Sequence, residues 1–490
     1  MQITKSQGLY INGEWRKGHG KEFLSINPAT LQIIWQGREA SSNDVKEAVQ
    51  SAHKAAFSWQ QCTFATRVEY IEKFIQEVKR KLPLLTETLS QDTGKPLWEA
   101  KTELNALENK LKLSSAAFRT RSTGNVQETQ GKVERLSFRP LGVALVLGAF
   151  NFPIHLSHGH IIPLLLAGNT VVFKPSELTP LIAECIIKCW DNSGLPKGVL
   201  NLVEGDANVA KSLLKETFNG IYFTGSYKTG LAIHNTFKDK PEVLLALEMG
   251  GNNPLIITAV KDIQAAVYNT ILSSFITAGQ RCSSARRIIL PNTSFADKFL
   301  QLLLKACKSL KIGPYTDLPE PFMGPVISEQ HAQNHLKSQA QLLKTNAKSL
   351  LEMQLCKQQG AFLSPGIIEI YTAKLIDEEI FAPLVQIYRY EDFSQAIKLA
   401  NQTEYGLTAG LFSDSQDDYV EFASSIKAGV LAFNRPTTGA SSALPFGGIG
   451  KSGNHRPSAY FAADYCVYPI ASLEQDKLEI PENLMPGVVL

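Results

Sequence analysis

The chain has 490 residues, 44% of them hydrophobic and 19% charged, with a formal net charge of +3. That balance excludes a disordered or fibrous chain, and so small a charge on so large a body excludes the basic face of a nucleic-acid binder. A chain of this length does not close around one core, so two or three domains are expected.

The opening Met1-Gln-Ile-Thr-Lys-Ser-Gln-Gly8 has no apolar run of the signal-peptide kind. Residues 43–120 carry helical periodicity, as in Val68, Ile71, Phe74, Ile75 and Val78, until Pro83 breaks it. Segment 125–140 is polar, with β-formers at alternate positions and Gly131 as a turn. It reads as a hairpin arm leaving the body, of the kind that pairs with another subunit. From 141 onward, short β-rich runs alternate with helical ones. Val143–Leu147, Thr170–Phe173, Val199–Val203, Gly220–Thr224 and Leu244–Leu247 are strand candidates, with helical stretches such as Pro180–Asn192 and Asn208–Glu216 between them. Near-continuous apolar strands separated by helices imply a parallel sheet covered on both faces, with ligands beyond the carboxyl ends of its strands. A second alternation starts at Pro254–Ile257 and runs to about 435, implying a second α/β domain.

The greasiest stretches, Leu141–Phe150 and Ile161–Phe173, fall short of the roughly 20 residues that span a bilayer, and Pro163, Gly168 and Asn169 interrupt the second. No membrane association is expected, and the location expected is the cytoplasm. The seven cysteines are irregularly spaced, as expected of reduced thiols.

Gly448-Ile-Gly-Lys-Ser-Gly453 matches a dinucleotide fingerprint in form only, because no strand–helix unit surrounds it. Phe223-Thr-Gly225-Ser226-Tyr227-Lys228-Thr229-Gly230 is better placed. It follows a strand and opens a helix that Ser226 can cap, so its amides would face a phosphate, although a plain strand-to-helix turn fits equally well. Lys174-Pro-Ser-Glu177 ends another strand, where a lysine and a carboxylate can bond ribose hydroxyls and favour NAD over NADP. Cys282, in Ala278-Gly-Gln-Arg-Cys-Ser-Ser-Ala-Arg-Arg287, is the candidate nucleophile. Arg281, Arg286 and Arg287 would lower its pKa if they face it, whereas a small core residue is the plainer alternative. Cys185 and Cys189, four apart in an apolar helical stretch, read as core. Glu248 ends an apolar strand before Gly250-Gly251, where an unused carboxylate is costly. It is the candidate general base, or else a solvated strand end. Asn151 likewise ends a strand and is an oxyanion donor or a turn residue. His155, His158 and His160 lack ligand partners at zinc spacing, and no metal is expected.

Six motifs in order resemble the aldehyde dehydrogenase superfamily: Asn151-Phe-Pro153, Lys174-Pro-Ser-Glu177, Phe223-Thr-Gly-Ser226, Glu248-Met-Gly-Gly251, Gly279-Gln-Arg-Cys282 and Glu379-Ile-Phe381-Ala-Pro383. The resemblance runs from Tyr10-Ile-Asn-Gly-Glu-Trp15 to Pro445-Phe-Gly-Gly448. It implies an α/β fold of two doubly wound parallel-sheet domains with a small β oligomerisation arm. The implied boundaries are 1–121 with 142–250 for NAD binding and 251–445 for catalysis. Segments 122–141 and 460–490 would join a homodimer or homotetramer.

The resemblance implies Cys282 as nucleophile, Asn151 and the Cys282 N–H as oxyanion donors, and Glu248 as the base that hydrolyses a thioester. Lys174 and Glu177 would hold the adenosine ribose of NAD and the Gly225–Gly230 turn its pyrophosphate. Glu379, with Phe381 beside it, would hold the nicotinamide ribose. Ala382 departs from the usual glycine and is expected to shift Glu379 slightly, and Arg435 stands where lysine is usual. Asn151-Phe-Pro-Ile-His-Leu-Ser-His-Gly-His160, Asn252-Asn253 and Ser452-Gly-Asn-His-Arg-Pro-Ser-Ala459 are similar to a branch oxidising a succinylated amino-acid semialdehyde. Its two carboxylates would need cations or amides, for which Arg281, His155, His160, His455 and Arg456 are the candidates. Another carboxylated semialdehyde, transfer of the thioester to coenzyme A, and a catalytically silent protein on the same fold are the competing readings. Cys282, Glu248 and Asn151 together argue against the last.

Overall fold

The computed structural model describes residues 3–129, 132–356, 359–371 and 376–490, so the turn expected at Gly131 lies outside the described residues. Four helices occupy the expected helical region: α1 (Ser42–Gln61), α2 (Phe64–Arg80), α3 (Leu82–Thr93) and α4 (Leu97–Arg121). Ser41 and Asp44 close a capping box at the start of α1. The periodic residues Ile71, Phe74, Ile75 and Val78 form the buried stripe of α2. Pro83 does not simply end that pattern; it stands in the first turn of α3, where its missing N–H has no bond to lose.

The remaining helices of the first half are α5 (His155–Ala167), α6 (Pro180–Asn192), α7 (Ala207–Leu213) and α8 (Tyr227–Phe237). They cover a seven-stranded sheet ordered Leu244–Met249, Gly220–Gly225, Val143–Leu147, Thr170–Lys174, Leu200–Leu202, Leu9–Ile11 and Glu14–Arg16. Its first five strands are parallel, and the last two pairings, on either side of Leu9–Ile11, are antiparallel. The two-residue period of a strand explains why the whole run Val143–Leu147 is apolar. Ala144 and Val146 enter one hydrophobic cluster, Val143, Leu145 and Leu147 the cluster on the other face. The apolar stretch Ile161–Phe173 is half helix and half strand, turned at Gly168, whose φ of 98° suits glycine. Pro163 lies inside α5 rather than breaking it. Among the described residues no helix is long and apolar enough to cross a membrane.

A second seven-stranded sheet runs Ala347–Leu351, Gly366–Ile370, Leu384–Tyr390, Ala285–Pro291, Asn253–Ile257, Thr408–Phe412 and Val430–Phe433. Only its first strand is antiparallel. Outside both sheets, Lys132–Pro140 pairs antiparallel with Asn125–Thr129 on one side and Val467–Gln475 on the other. This three-stranded ribbon is the arm that the 125–140 pattern suggests.

The start of α5 bears directly on function. No side chain of its own caps it; instead the Glu103 carboxylate on α4 accepts from the amides of Ile154 at 2.9 Å and His155 at 3.0 Å. The same carboxylate takes the buried Lys95 ammonium at 2.6 Å. Removing one member of a buried pair costs about 3–5 kcal/mol, because the other charge is left bare. Glu103→Ala is therefore expected to lower the urea midpoint by that order, and Glu103→Gln, which keeps the amide contacts, by less.

Candidate active site

Between the two sheets lies a cavity of about 600 Å³, lined among others by Asn151, Glu177, Ser226, Glu248, Cys282 and Glu379. The first sheet contributes the carboxyl ends of its strands: Asn151 follows Val143–Leu147, Ser226 follows Gly220–Gly225, and Glu248 sits one residue before the end of Leu244–Met249. The second sheet contributes the opposite ends. Cys282 precedes Ala285–Pro291, and Glu379 precedes Leu384–Tyr390. The carboxyl-end expectation therefore covers half of the site.

The loop that presents Cys282 is backbone-strained. Thr277, Ala278 and Gly279 all lie in the left-handed region, with φ of 58°, 51° and 70°. A β-branched residue there is a genuine outlier, so the surroundings must over-determine it. Glu99, buried on α4, accepts from the Thr277 hydroxyl and from Arg281 Nη2 at 2.7 Å. Arg281 Nε donates to Thr277 Oγ1 at 2.7 Å. The Gln280 side chain accepts from the Ile327 amide at 3.0 Å, and its carbonyl takes the Asn151 amide at 2.9 Å. Asn253 Nδ2 donates to the carbonyls of Cys282 at 2.7 Å and Ser284 at 2.9 Å. At Gly279 a Cβ would collide with the Ala382 carbonyl, so only glycine fits.

These contacts correct the expected role of the arginines. Arg281 is committed to Glu99. Arg287 donates to the carbonyls of Asn252, Leu399 and Ala400, and Arg286 to those of Ala382 and Arg281. They brace the backbone rather than acidify the thiol. Cys282 is only partly exposed, and burial, then Glu379 and Glu248, push its pKa up to about 12, with Arg286 a weak opposing influence. Burial also holds Glu248 up to about 8 and Glu379 to about 7. Among the described residues Glu248 Oε2 has no hydrogen-bond partner, while Glu379 accepts from the Gly251 amide at 3.2 Å. A Cβ at Gly250 would overlap the Glu379 carboxylate, so that carboxylate is seated on bare backbone. Ala382 is not in the left-handed region and costs no backbone strain there.

The dinucleotide candidates divide. Ser226 caps α8, accepting from the Thr229 amide at 3.3 Å, and Gly225, Ser226 and Thr229 line the cavity. Glu177, Glu379 and Phe381 line it too. Gly230 instead packs α8 onto Met249, Tyr227 lies beside Tyr405, and Lys228 is exposed. Lys174 is turned onto the Pro175 carbonyl at 2.7 Å with Glu177 at 3.6 Å, and is not among the cavity-lining residues. A capped helix start with open glycine backbone, and two carboxylates spaced along one cleft, fit a dinucleotide. Within Gly448–Gly453, Ile449–Gly450 pairs antiparallel with Tyr405–Gly406, and the next regular element is the strand Ser458–Ala459 rather than a helix.

Of the anion-binding candidates, Arg281, His155 and His160 line the cavity, whereas His455 and Arg456 are exposed and lie outside its lining. His158 is core: it bonds the Ile154 carbonyl and Trp190 Nε1 and stacks on Phe74. Among the described residues no group of three or more His, Cys, Asp or Glu is arranged to hold a metal. Sequence reasoning missed Glu99 and quoted Asn253 only as a signature. The available signal was an acid inside the apolar stripe of α4, beside Ala100, Leu104 and Leu107.

Two outcomes test this geometry. Asn253→Ala strands the carbonyls of Cys282 and Ser284 and the Thr408 amide, so a loss of about 2–4 kcal/mol in urea unfolding is expected. Glu248 ionises near its ordinary value when unfolded but only near 8 when folded. Stability therefore falls as pH rises through that window, and the Tm gain of Glu248→Gln over wild type should grow from pH 5 to pH 8.

A model of the aldehyde dehydrogenase family matches residues 15–468. N-succinylglutamate 5-semialdehyde dehydrogenase of Legionella pneumophila is 53% identical over 491 aligned positions, spanning 100% of this chain and 99% of that protein. Betaine aldehyde dehydrogenase from Staphylococcus aureus, solved in complex with NAD+, superposes with a TM-score of 0.92 at 27% identity, covering 98% of this chain and 97% of that one. Methylmalonate-semialdehyde dehydrogenase from Oceanimonas doudoroffii shares the fold, with a TM-score of 0.92 at 24% identity over 97% and 99% of the two chains. With its sheets, its cavity and its thiol arranged in this way, the chain belongs to the aldehyde dehydrogenase family.

Proposed function

We propose that the chain oxidises N-succinyl-L-glutamate 5-semialdehyde to N-succinyl-L-glutamate, with NAD as hydride acceptor, as a step of arginine degradation. The observation that carries the chemistry is a partly exposed thiol on a braced loop, sharing one cavity with two buried carboxylates and a strand-end amide. The full-length relative at 53% identity supports the substrate, and the NAD+ complex of the Staphylococcus aureus neighbour supports the cofactor. Residues 1–121 and 142–250 would cradle the dinucleotide and 251–445 would supply the nucleophile. The 122–141 arm and 460–490 would join a homodimer or homotetramer. Unpaired thiols at all seven cysteines suit the cytoplasm.

Cys282 sulfur bonds to the aldehyde carbon, and the carbonyl electron pair moves to oxygen. That oxyanion takes the second N–H of the Asn151 amide, whose first is spent on Gln280, together with the Cys282 amide. The C–H bond then breaks, its electron pair leaves as hydride, and a thioester to Cys282 remains. When bound, NAD supplies the two-electron acceptor and a cationic ring that favours the thiolate otherwise suppressed by burial. Glu248 takes a proton from water as the water oxygen bonds to the thioester carbon. The C–S bond breaks, releasing the acid and the Cys282 thiolate. Glu379, seated against Gly250 and Gly251, and Glu177 would accept ribose hydroxyls; Ser226 and the α8 amides would face the pyrophosphate.

NADH formation across an aldehyde panel tests the proposal. The succinylated semialdehyde should give the highest kcat/KM, and a higher value for succinate semialdehyde would reject the substrate. Cys282→Ala should abolish NADH formation, and Asn151→Ala should lower kcat about 10²- to 10³-fold. Glu248→Gln should keep a burst of one NADH per site but lose turnover about 10²- to 10⁴-fold.

A further inference from the structure

The cations around the cavity are nearly all spent on neighbouring groups. Lys95 is paired with Glu103, and Arg281 with Glu99. Arg286 and Arg287 are absorbed by backbone carbonyls. The three histidines lining the cavity are held neutral by burial, which drives the pKa of His155 well below its ordinary value, that of His160 to about 3, and that of His331 downward; His160 is bonded to the Tyr465 hydroxyl and His331 to that of Ser328. Lys110, on α4, is the exception. It lines the same cavity, opposite Gly159 of α5, and among the described residues it has no hydrogen-bond or ion-pair partner.

Its surroundings leave that ammonium room but no counter-charge. A Cβ at Gly159 would stand 3.3 Å from Lys110 Nζ, so the glycine makes way for it. The acid closest in influence, Glu103, is already occupied by Lys95 and the α5 amides. Burial pulls Lys110 down to about 8, which is the cost of a charge held without a partner. Along α5, Gly159 lies one turn beyond His155, roughly 6 Å further from the Asn151 end where the carbonyl oxygen would sit. An ammonium with three donors, set back from the reacting atoms, is complementary to an acid group several bonds from an aldehyde.

We propose that Lys110 is the specificity-determining cation of this cavity, its ammonium receiving a carboxylate of the substrate while Gly159 keeps the seat open. The inference rests on the dicarboxylated aldehyde named above and adds the residue that reads its charge. It also assigns different work to the candidates drawn from the motifs: Arg281 is a brace for the nucleophile loop, and His155 a neutral wall.

Lys110→Met keeps the length of the side chain and removes its charge, and Lys110→Arg restores a cation. For N-succinylglutamate semialdehyde, Lys110→Met should raise KM about 10- to 100-fold with kcat within threefold. The inhibition constant of N-succinylglutamate against hexanal oxidation should rise equally. The KM for hexanal should move at least tenfold less, and Lys110→Arg should recover most of the lost affinity. The Tm of Lys110→Met without ligands should equal or exceed that of wild type, because an unpaired charge is gone. Equal KM losses on charged and neutral aldehydes, no loss on the charged one, or a lowered Tm with losses on both would overturn the assignment. If wild type prefers a different carboxylated aldehyde and Lys110→Met erases that preference, the lysine stands and the substrate named above falls. A wild type that treats charged and neutral aldehydes alike overturns both.

Discussion

The site depends on a stretch of backbone that would not hold its shape alone. Thr277, Ala278 and Gly279 run through the left-handed region, where a non-glycine residue costs on the order of 1–3 kcal/mol. The strain is sustained because polar groups from both halves of the molecule converge on it. Glu99 reaches in from α4, Asn151 from the end of a first-sheet strand, and Asn253 and Arg286 from the second sheet. Each is buried, so withdrawing any of them would remove a hydrogen bond that holds this backbone in place. Cys282 is the outward product of this network, presented on a loop whose neighbours are all fastened.

The same burial shapes the chemistry. A thiol surrounded by arginines in sequence is, in space, a thiol facing two carboxylates. Desolvation lifts Cys282, Glu248 and Glu379 together. At neutral pH Glu248 therefore sits mostly protonated rather than as a fixed anion, and Arg286 and Arg287 spend their charge on backbone carbonyls. Among the described residues the charge of Lys110 is left unspent by the same arrangement, so the network that braces the Cys282 loop also leaves the cation to which the proposal gives the sorting of aldehydes.

Much of this was legible in the residues. Val143–Leu147 and Pro180–Asn192 are found where their patterns place them, because continuous apolar runs and amphipathic spacing survive any tertiary environment. Ser226 caps its helix as an N-terminal serine should. Pro83 misled because a proline's effect depends on where its helix starts, and Pro83 falls in the first turn of α3; Pro163 is held inside α5, which is buried in the core along most of its length. The arginines misled because adjacency to Cys282 in sequence says nothing of direction: at Ala285–Pro291 the chain enters a strand, and successive side chains leave on opposite faces.

The sequence by itself determined the two α/β halves, the arm, and the order of chemical groups along the chain, since these follow from periodicity and from residues whose conformational demands are local. Only the tertiary structure decided which charges meet. Glu99 with Arg281, Lys95 with Glu103, and Lys110 without a partner among the described residues are outcomes of packing α4 against α5 and the Cys282 loop. Electrostatic strength depends on separation and burial, neither of which is written in the order of residues.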